Sequence, residues 1–202
     1  MITCEKCKSH GLRFHRKYAP QDYFHGDPNS KVWVVGINPS GTIGRQGPQG
    51  STSRIGYFKN LETIHAYFKN FSRVSERIFK GFNQGTVGHT DIVKCYSPKF
   101  PPDGKTRTEA DIVDKCAPYL FSQVARYKPK VIICNGATAC RELVRLVQPL
   151  PGEDHETHYF GELEGLRLAI VLSGFIGRID NYARRRLGKE IEALLDEMGI
   201  AV

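Results

Sequence analysis

Four short apolar runs, set between segments of helical periodicity, constrain the fold of this chain more than any other feature. They are Val32-Trp33-Val34-Val35, Asp91-Ile92-Val93, Val131-Ile132-Ile133-Cys134, and the run from Leu168 to Leu172. The runs are continuous rather than alternating, and β-branched residues dominate them. The first stops at Gly36 and the third at Asn135-Gly136. A strand that is apolar at successive positions is covered on both faces, the condition of a parallel sheet held between helices. Between the runs, Leu61, Ile64, Phe68, Phe71, Val74 and Ile78 recur mostly every three or four residues, which predicts one long helix or two shorter ones. Thr108 and Asp111 have capping-box spacing and predict a helix running to Tyr127, with Ile112, Val113, Cys116, Leu120, Phe121 and Val124 as its buried stripe. Helices are also expected over 137–147 and 180–198. Residues 1–30 predict irregular structure, and the polar stretch 151–165 predicts a turn or excursion. The expected fold is α/β: a three-layer α/β/α sandwich around a mainly parallel four-stranded sheet, with residues 1–202 forming one domain.

The segment from Pro39 to Gly56 has no apolar pattern and carries Gly41, Gly44, Gly47, Gly50 and Gly56. A loop of this length directly after a strand end lies where open α/β sheets place their ligands. Gly36 and Gly41 are not followed by the Gly-Lys-Ser/Thr ending of a phosphate-binding loop, which argues against a nucleotide fingerprint. The chain has 29 Lys and Arg against 21 Asp and Glu, a net charge of +8, which favours a polyanionic partner. Arg178, Arg184, Arg185, Arg186 and Lys189 concentrate that charge near the C-terminus, ahead of the acidic Glu190, Glu192, Asp196 and Glu197. No stretch approaches the roughly 18 apolar residues of a membrane span, and no apolar signal core opens the chain. A cytoplasmic, nucleoid-associated location is expected, with no membrane partner.

The six cysteines are too few and too unevenly spaced for a disulfide scaffold. Cys4 and Cys7 have the Cys-x2-Cys spacing that lets two thiolates reach one metal from a tight turn. Cys95 follows a strand end and Cys116 lies in the next helix, so the fold can bring both to the N-terminal pair. Four sulfurs suit either zinc or a [4Fe–4S] cluster. Buried free cysteine offers another explanation for Cys116. Cys134 and Cys140 are assigned to packing, while His10 and His15 are alternative ligands.

Several of these segments, taken in order, resemble the uracil-DNA glycosylase superfamily, most closely its iron–sulfur branch. Cys4-x2-Cys7 is similar to that branch's N-terminal pair. Thr90-Asp91-Ile92-Val93-Lys94-Cys95 resembles its strand leading to the third cysteine, and Cys116-Ala117-Pro118-Tyr119-Leu120 its fourth cysteine and helix. Lys128-Pro129-Lys130-Val131-Ile132-Ile133-Cys134-Asn135-Gly136 resembles its Pro-x-Val-Ile strand. The resemblance implies a structural [4Fe–4S] cluster on Cys4, Cys7, Cys95 and Cys116. Gly36-Ile37-Asn38-Pro39-Ser40 looks like the first catalytic motif, in the wording of the mismatch-specific uracil/thymine branch, where the asparagine positions water. Asp91 stands where most members carry a base-recognising asparagine. The chain has Leu172-Ser173-Gly174-Phe175-Ile176-Gly177-Arg178 where the superfamily has a His-Pro-Ser type motif.

The resemblance implies a monofunctional DNA glycosylase, expected as a monomer, that removes a deaminated or mismatched base, uracil first, and leaves an abasic site. Asn38 and Asp91 are the expected catalytic residues. Gly36, Tyr57, Phe58 and Asn135 are expected around the base. Ser40, Ser173, Gly174, Phe175, Arg178, Arg184, Arg185 and Lys189 are expected against DNA, with Phe175 as a wedge in the base stack. No lysine stands in a Schiff-base context, so simple hydrolysis is expected. The alternatives are an iron–sulfur protein that binds nucleic acid without turnover, and a zinc-stabilised nucleotide-processing enzyme.

Overall fold

In a computed structural model that describes residues 2–39, 55–62, 64–155 and 157–202, the chain begins with a small antiparallel hairpin. Its strands are β1 (Ile2–Cys4) and β2 (Phe14–Arg16), with Cys4 opposite Phe14. The N-terminal segment is therefore more regular than its sequence suggests. It also holds 3-10 turns at Lys8–His10 and Pro20–Asp22.

The apolar runs supply β3 (Val32–Gly36), β5 (Val131–Asn135) and the core of β8 (Leu166–Ser173), while β4 is Val87–Asp91. β4 begins earlier than the run at Ile92 suggests. Ile92 and Val93 continue past its end, donating their backbone N–H groups to Gly36 and Ile37 carbonyls at 3.0 and 2.9 Å. The sheet order is β4-β3-β5-β8-β7-β6. Neighbours from β4 to β8 are parallel; β7 (His158–Leu163) and β6 (Pro149–Asp154) extend the sheet antiparallel. The expected four-stranded sheet thus has six strands, and the polar excursion is a hairpin. β6 is an edge strand with a register shift and carries Pro149 and Pro151, which the unpaired side of an edge tolerates.

Both faces of the sheet are covered, as continuous apolar strands require. Trp33, Val35, Ile132, Cys134 and Ile170 face α3 (Thr106–Tyr127) and α4 (Ala137–Leu146). The intervening residues Val32, Val34, Ile133 and Val171 face the other layer. That layer contains a 3-10 turn at Ile55–Phe58, α1 (Ala66–Lys69), a 3-10 turn at Asn70–Arg73, α2 (Glu76–Gln84) and α5 (Asn181–Glu197). The periodic stretch 58–79 breaks into pieces because Ser75 leaves the helical conformation and accepts a hydrogen bond from Ile78 N, restarting the helix as its N-cap. Asp180 does the same for α5 through Ala183 N at 2.8 Å. Thr108 is not a cap: α3 opens at Thr106, and the Thr108 hydroxyl donates to Asp103 Oδ2 at 2.7 Å.

Candidate active site and thiol cluster

Parallel strands end in register, and here the register collects residues from all four sequence motifs. Gly36 pairs with Asp91, Asn135 with Ser173, and Val35 with Cys134, so one row runs along the carboxyl edge of the sheet. This is the edge where open α/β sheets bind ligands. A Cβ on Gly36 would lie 2.4 Å from Asp91 Oδ1, so only glycine lets the carboxylate sit against β3.

Asp91 is buried. Its Oδ2 accepts from the Tyr23 hydroxyl at 3.0 Å, and its Oδ1 lies 3.8 Å from His89 Nε2. Burial pushes the carboxyl up to about 6, against the opposing pull of Lys94 and Tyr23. Lys94 is buried too, and burial brings its amine down to about 7. It donates to Thr90 Oγ1 and Gln123 Oε1, both at 2.8 Å, and to the Asp91 carbonyl. With three donors and three acceptors, Lys94 is held as a strut behind the site.

Asn38 donates its amide hydrogens to the carbonyls of Pro39 and Ser97, at 2.9 and 3.0 Å. These bonds fix the side chain and leave Oδ1 as its acceptor. Asn135 is buried; its Nδ2 donates to the Tyr67 hydroxyl at 2.7 Å and its Oδ1 accepts from Ile176 N at 3.0 Å. It therefore positions Tyr67 and the loop after β8. Tyr57 is half-buried, with its ring 4.4 Å from that of His25. Phe58, expected to stack on a base, is fully buried against Phe68 and Phe82 and belongs to the core.

Tyr23, His25, Tyr67, His89 and Lys94 were not singled out by sequence. Tyr23 and His25 lie far from Asp91 along the chain, but a two-way backbone bridge at 2.8 Å pins His25 to His89 on β4. The only sequence signal for them is their aromatic or imidazole character just ahead of β3.

The residues expected against DNA divide. Gly174, Arg178, Arg185 and Lys189 are exposed, and Phe175 is 42% exposed, with its ring 5.9 Å from that of Tyr67. Ser173 is buried and turns its hydroxyl onto the Gly174 carbonyl at 2.7 Å, so it presents nothing to a phosphate. Arg184 is only 8% exposed; its Nε donates to the Ile176 carbonyl at 2.8 Å and its NH1 to Asn181 Oδ1 at 2.9 Å. It braces the loop from inside. Ser40 lies outside the described residues. Ser72, Arg73, Asn181 and Arg185 line a surface depression beside α5.

The four cysteines of the expected metal centre gather from three elements. Cys4 ends β1. Cys7 opens a tight turn whose carbonyl accepts from His10 N and Leu12 N, at 3.0 and 3.1 Å. The neighbouring Cys116 and burial push the thiols of Cys7 and Cys95 up, while Cys7 and Cys95 draw Cys116 down to about 3 against the opposing effect of its own burial. Cys4 Sγ lies 3.3 Å from the Tyr119 hydroxyl, and its charge is felt at Cys7 and Cys95. The arrangement is a group of neighbouring thiols: among the described residues, no group of three or more His, Cys, Asp or Glu side chains stands as a metal-holding set. The donor chemistry fits a thiophilic centre. His10 is engaged by Asp111, and His15 Nδ1 pairs with Thr3 Oγ1 at 2.8 Å, so both are turned to other partners. Cys140 Sγ donates to the Ser173 carbonyl at 3.2 Å and packs against Cys134, apart from this cluster.

The chain is 27% identical over 174 residues to a Type-4 uracil-DNA glycosylase of Pyrobaculum aerophilum, a match covering 85% of this chain and 76% of the relative. The sequence pattern of the Uracil DNA glycosylase superfamily matches residues 23–173, from the tyrosine on Asp91 to the end of β8. The chain belongs to the uracil DNA glycosylase superfamily.

Proposed function

We propose that this chain is a DNA base-excision glycosylase that hydrolyses the N-glycosidic bond of a deaminated or mismatched base, with uracil the first candidate, and leaves an abasic site. The observation that carries this reading is the buried Asp91, held at the strand edge by Gly36 and Tyr23 and pushed up to about 6. Glycosidic hydrolysis needs a placed water, a group to take its proton, and a site for an extruded nucleotide. Asn38, through its remaining acceptor, places the water, and the Asp91 carboxylate takes the proton. Tyr57 supplies an aromatic face for the base. Phe175 is the wedge, and Arg178, Arg185 and Lys189 meet phosphates without reading sequence. Lys94 has its amine directions occupied, in keeping with hydrolysis rather than Schiff-base chemistry.

Cys4, Cys7, Cys95 and Cys116 would hold a [4Fe–4S] cluster, with zinc as the alternative. Bound there, the cluster would supply a structural cross-link between the N-terminal hairpin, the exit of β4 and α3. Among the described residues no helix is long and apolar enough to cross a membrane. The reading is of a one-domain monomer acting at the nucleoid.

The test is an alkali-cleavage assay on duplexes containing uracil, hypoxanthine, xanthine or mismatched thymine. Cleavage of one duplex, lost in Asn38→Ala and Asp91→Ala proteins that still fold, supports the enzyme and identifies its base. One observation favours a second reading. The loop after β8 has no histidine, and its Ser173 hydroxyl is spent on Gly174. Tight binding with no cleavage of any duplex would support a protein that kept the scaffold and lost turnover.

A further inference from the structure

α5 packs along the segment that leads from the 3-10 turn at Asn70–Arg73 into α2, and the charges that meet across this seam change from one end to the other. Towards the C-terminus of α5, Asp196 accepts from Arg77 Nη1 at 2.5 Å. In the middle, Glu192 accepts from the Ser75 hydroxyl at 2.5 Å. At the N-terminal end the match is reversed, because Arg73 and Arg185 line one depression together with Ser72 and Asn181. All four side chains are exposed, and among the described residues no carboxylate pairs with either arginine. Arg141, Arg145 and Arg167, by contrast, each meet a carboxylate. Two guanidinium groups stay charged at any working pH, so their closeness costs stability that a bound anion would restore.

The other lining groups favour an anion as well. Asn181 Oδ1 accepts from Arg184 Nη1 at 2.9 Å, which leaves its amide hydrogens as the group it offers. Ser72 turns its hydrogen to the Lys69 carbonyl at 2.7 Å and adds no donor. None of the four lining residues is aromatic or apolar, so nothing in the lining holds a base by stacking. The depression encloses about 520 Å³, inside the roughly 300–1,000 Å³ of ligand sites, which gives room for a stretch of sugar–phosphate backbone. Its two walls continue from the two rings that meet at the strand edge. Tyr67 on α1 leads into the turn bearing Ser72 and Arg73, and Phe175 leads into α5 at Asn181. Asn181 also holds Arg184, whose Nε donates to the Ile176 carbonyl at 2.8 Å, tying the depression to the loop that carries Phe175.

We propose that Arg73 and Arg185, with the Asn181 amide, clamp one backbone phosphate of the DNA strand beside the Phe175 wedge. The proposal rests on the glycosylase reading above, which supplies the DNA and the wedge, and it adds Arg73, from a turn that no sequence motif marks, to the DNA-contacting surface. A guanidinium pair on a phosphate fixes the register of the duplex against the wedge without reading a base.

The experiment measures binding of a uracil-containing duplex and of the matched undamaged duplex by fluorescence anisotropy over a range of salt concentrations. Each phosphate neutralised on B-form DNA contributes about 0.9 to the slope of log K against log salt. The Arg73→Gln/Arg185→Gln double variant is expected to flatten that slope by about 0.9 on both duplexes and to weaken both alike. Arg167→Gln, at a cation on β8 that pairs with Glu153, should leave the slope unchanged. An unchanged slope in the double variant, a loss of about 1.8, or an equal loss in Arg167→Gln would overturn the shared clamp. In DNA-free protein the double variant should unfold at the wild-type temperature or above it, since like charges have been removed; a lower midpoint would give the arginines a structural role instead. Inorganic phosphate that stabilises the wild type but not the double variant, with equal DNA slopes, would assign the depression to a small anion and not to DNA. Base release is followed on the same uracil duplex. Wild-type protein that binds but never cleaves removes the glycosylase reading while the slope still decides the clamp, and wild-type protein that binds neither duplex ends both.

Discussion

Asp91 titrates near pH 6 because burial disfavours its charge more than Tyr23 and Lys94 support it. Its folded-state value lies above the 3.8 of an unperturbed Asp, so the folded chain holds this proton more tightly than the unfolded one. The sign follows from linkage: stability from this group is full below pH 3.8 and is lost as pH rises to about 6. Activity runs the other way, because a carboxylate that accepts a proton from water must first be ionised. The single-turnover rate is expected to rise with pH through about 6, and Asp91→Asn should abolish that limb. A pH profile with the same limb in the variant would remove Asp91 from the role. Arg184 teaches a different lesson at this scale. In sequence it is one of several cations, and its position on α5 alone turns it inward to the Ile176 carbonyl.

At the scale of elements, α5 packs tightly on the 3-10 turn at Asn70–Arg73 and the residues just after it. A Cβ on Gly188 would lie 1.8 Å from the Val74 carbonyl oxygen, a backbone atom that cannot rotate away. Ser75, next in the chain, donates to Glu192 on the same helix at 2.5 Å, so the contact is both tight and polar. Gly188→Ala gains helix propensity, but the clash outweighs it, and a net loss of about 2–3 kcal/mol is expected. Urea unfolding measures this directly; an unchanged midpoint would mean that α5 sits further from the turn. Elements whose residues show a strong local period were legible in advance: β3, β5, β8, α4 and α5. β6 and β7 were not, because proline and alternating polar residues at an edge resemble a loop until a neighbouring strand pairs with them.

Across the whole molecule, the thiol cluster joins segments that the sheet does not. Cys4 and Cys7 belong to the hairpin outside the main sheet, Cys95 to the exit of β4, and Cys116 to α3. With a metal centre bound, Cys116→Ser is expected to lower the iron and acid-labile sulfide of anaerobically purified protein and to lower its unfolding temperature. Cys140→Ser, outside the cluster, should leave the metal content unchanged. Removing the metal from wild-type protein should reproduce the loss of stability. Zinc without sulfide would replace the iron–sulfur assignment, and protein free of both metals would end it.

The sequence alone determined the layered α/β architecture, the strand ends at Gly36 and Asn135, and the candidate cysteines, whereas it placed Asp91 at the start of its strand rather than at the end. Each of these is written in spacing or in a local run, and burial on both faces forces such runs into a covered parallel sheet. Tertiary structure alone decided that Tyr23 reaches Asp91 and His25 reaches Tyr23, that Lys94 packs behind Asp91, and that Phe58 and Arg184 turn inward. The physical reason is that periodicity records which face of an element is apolar. The meeting of polar groups across the end of a sheet depends on register, close approach at glycine and the path of distant segments, none of which has a local signature.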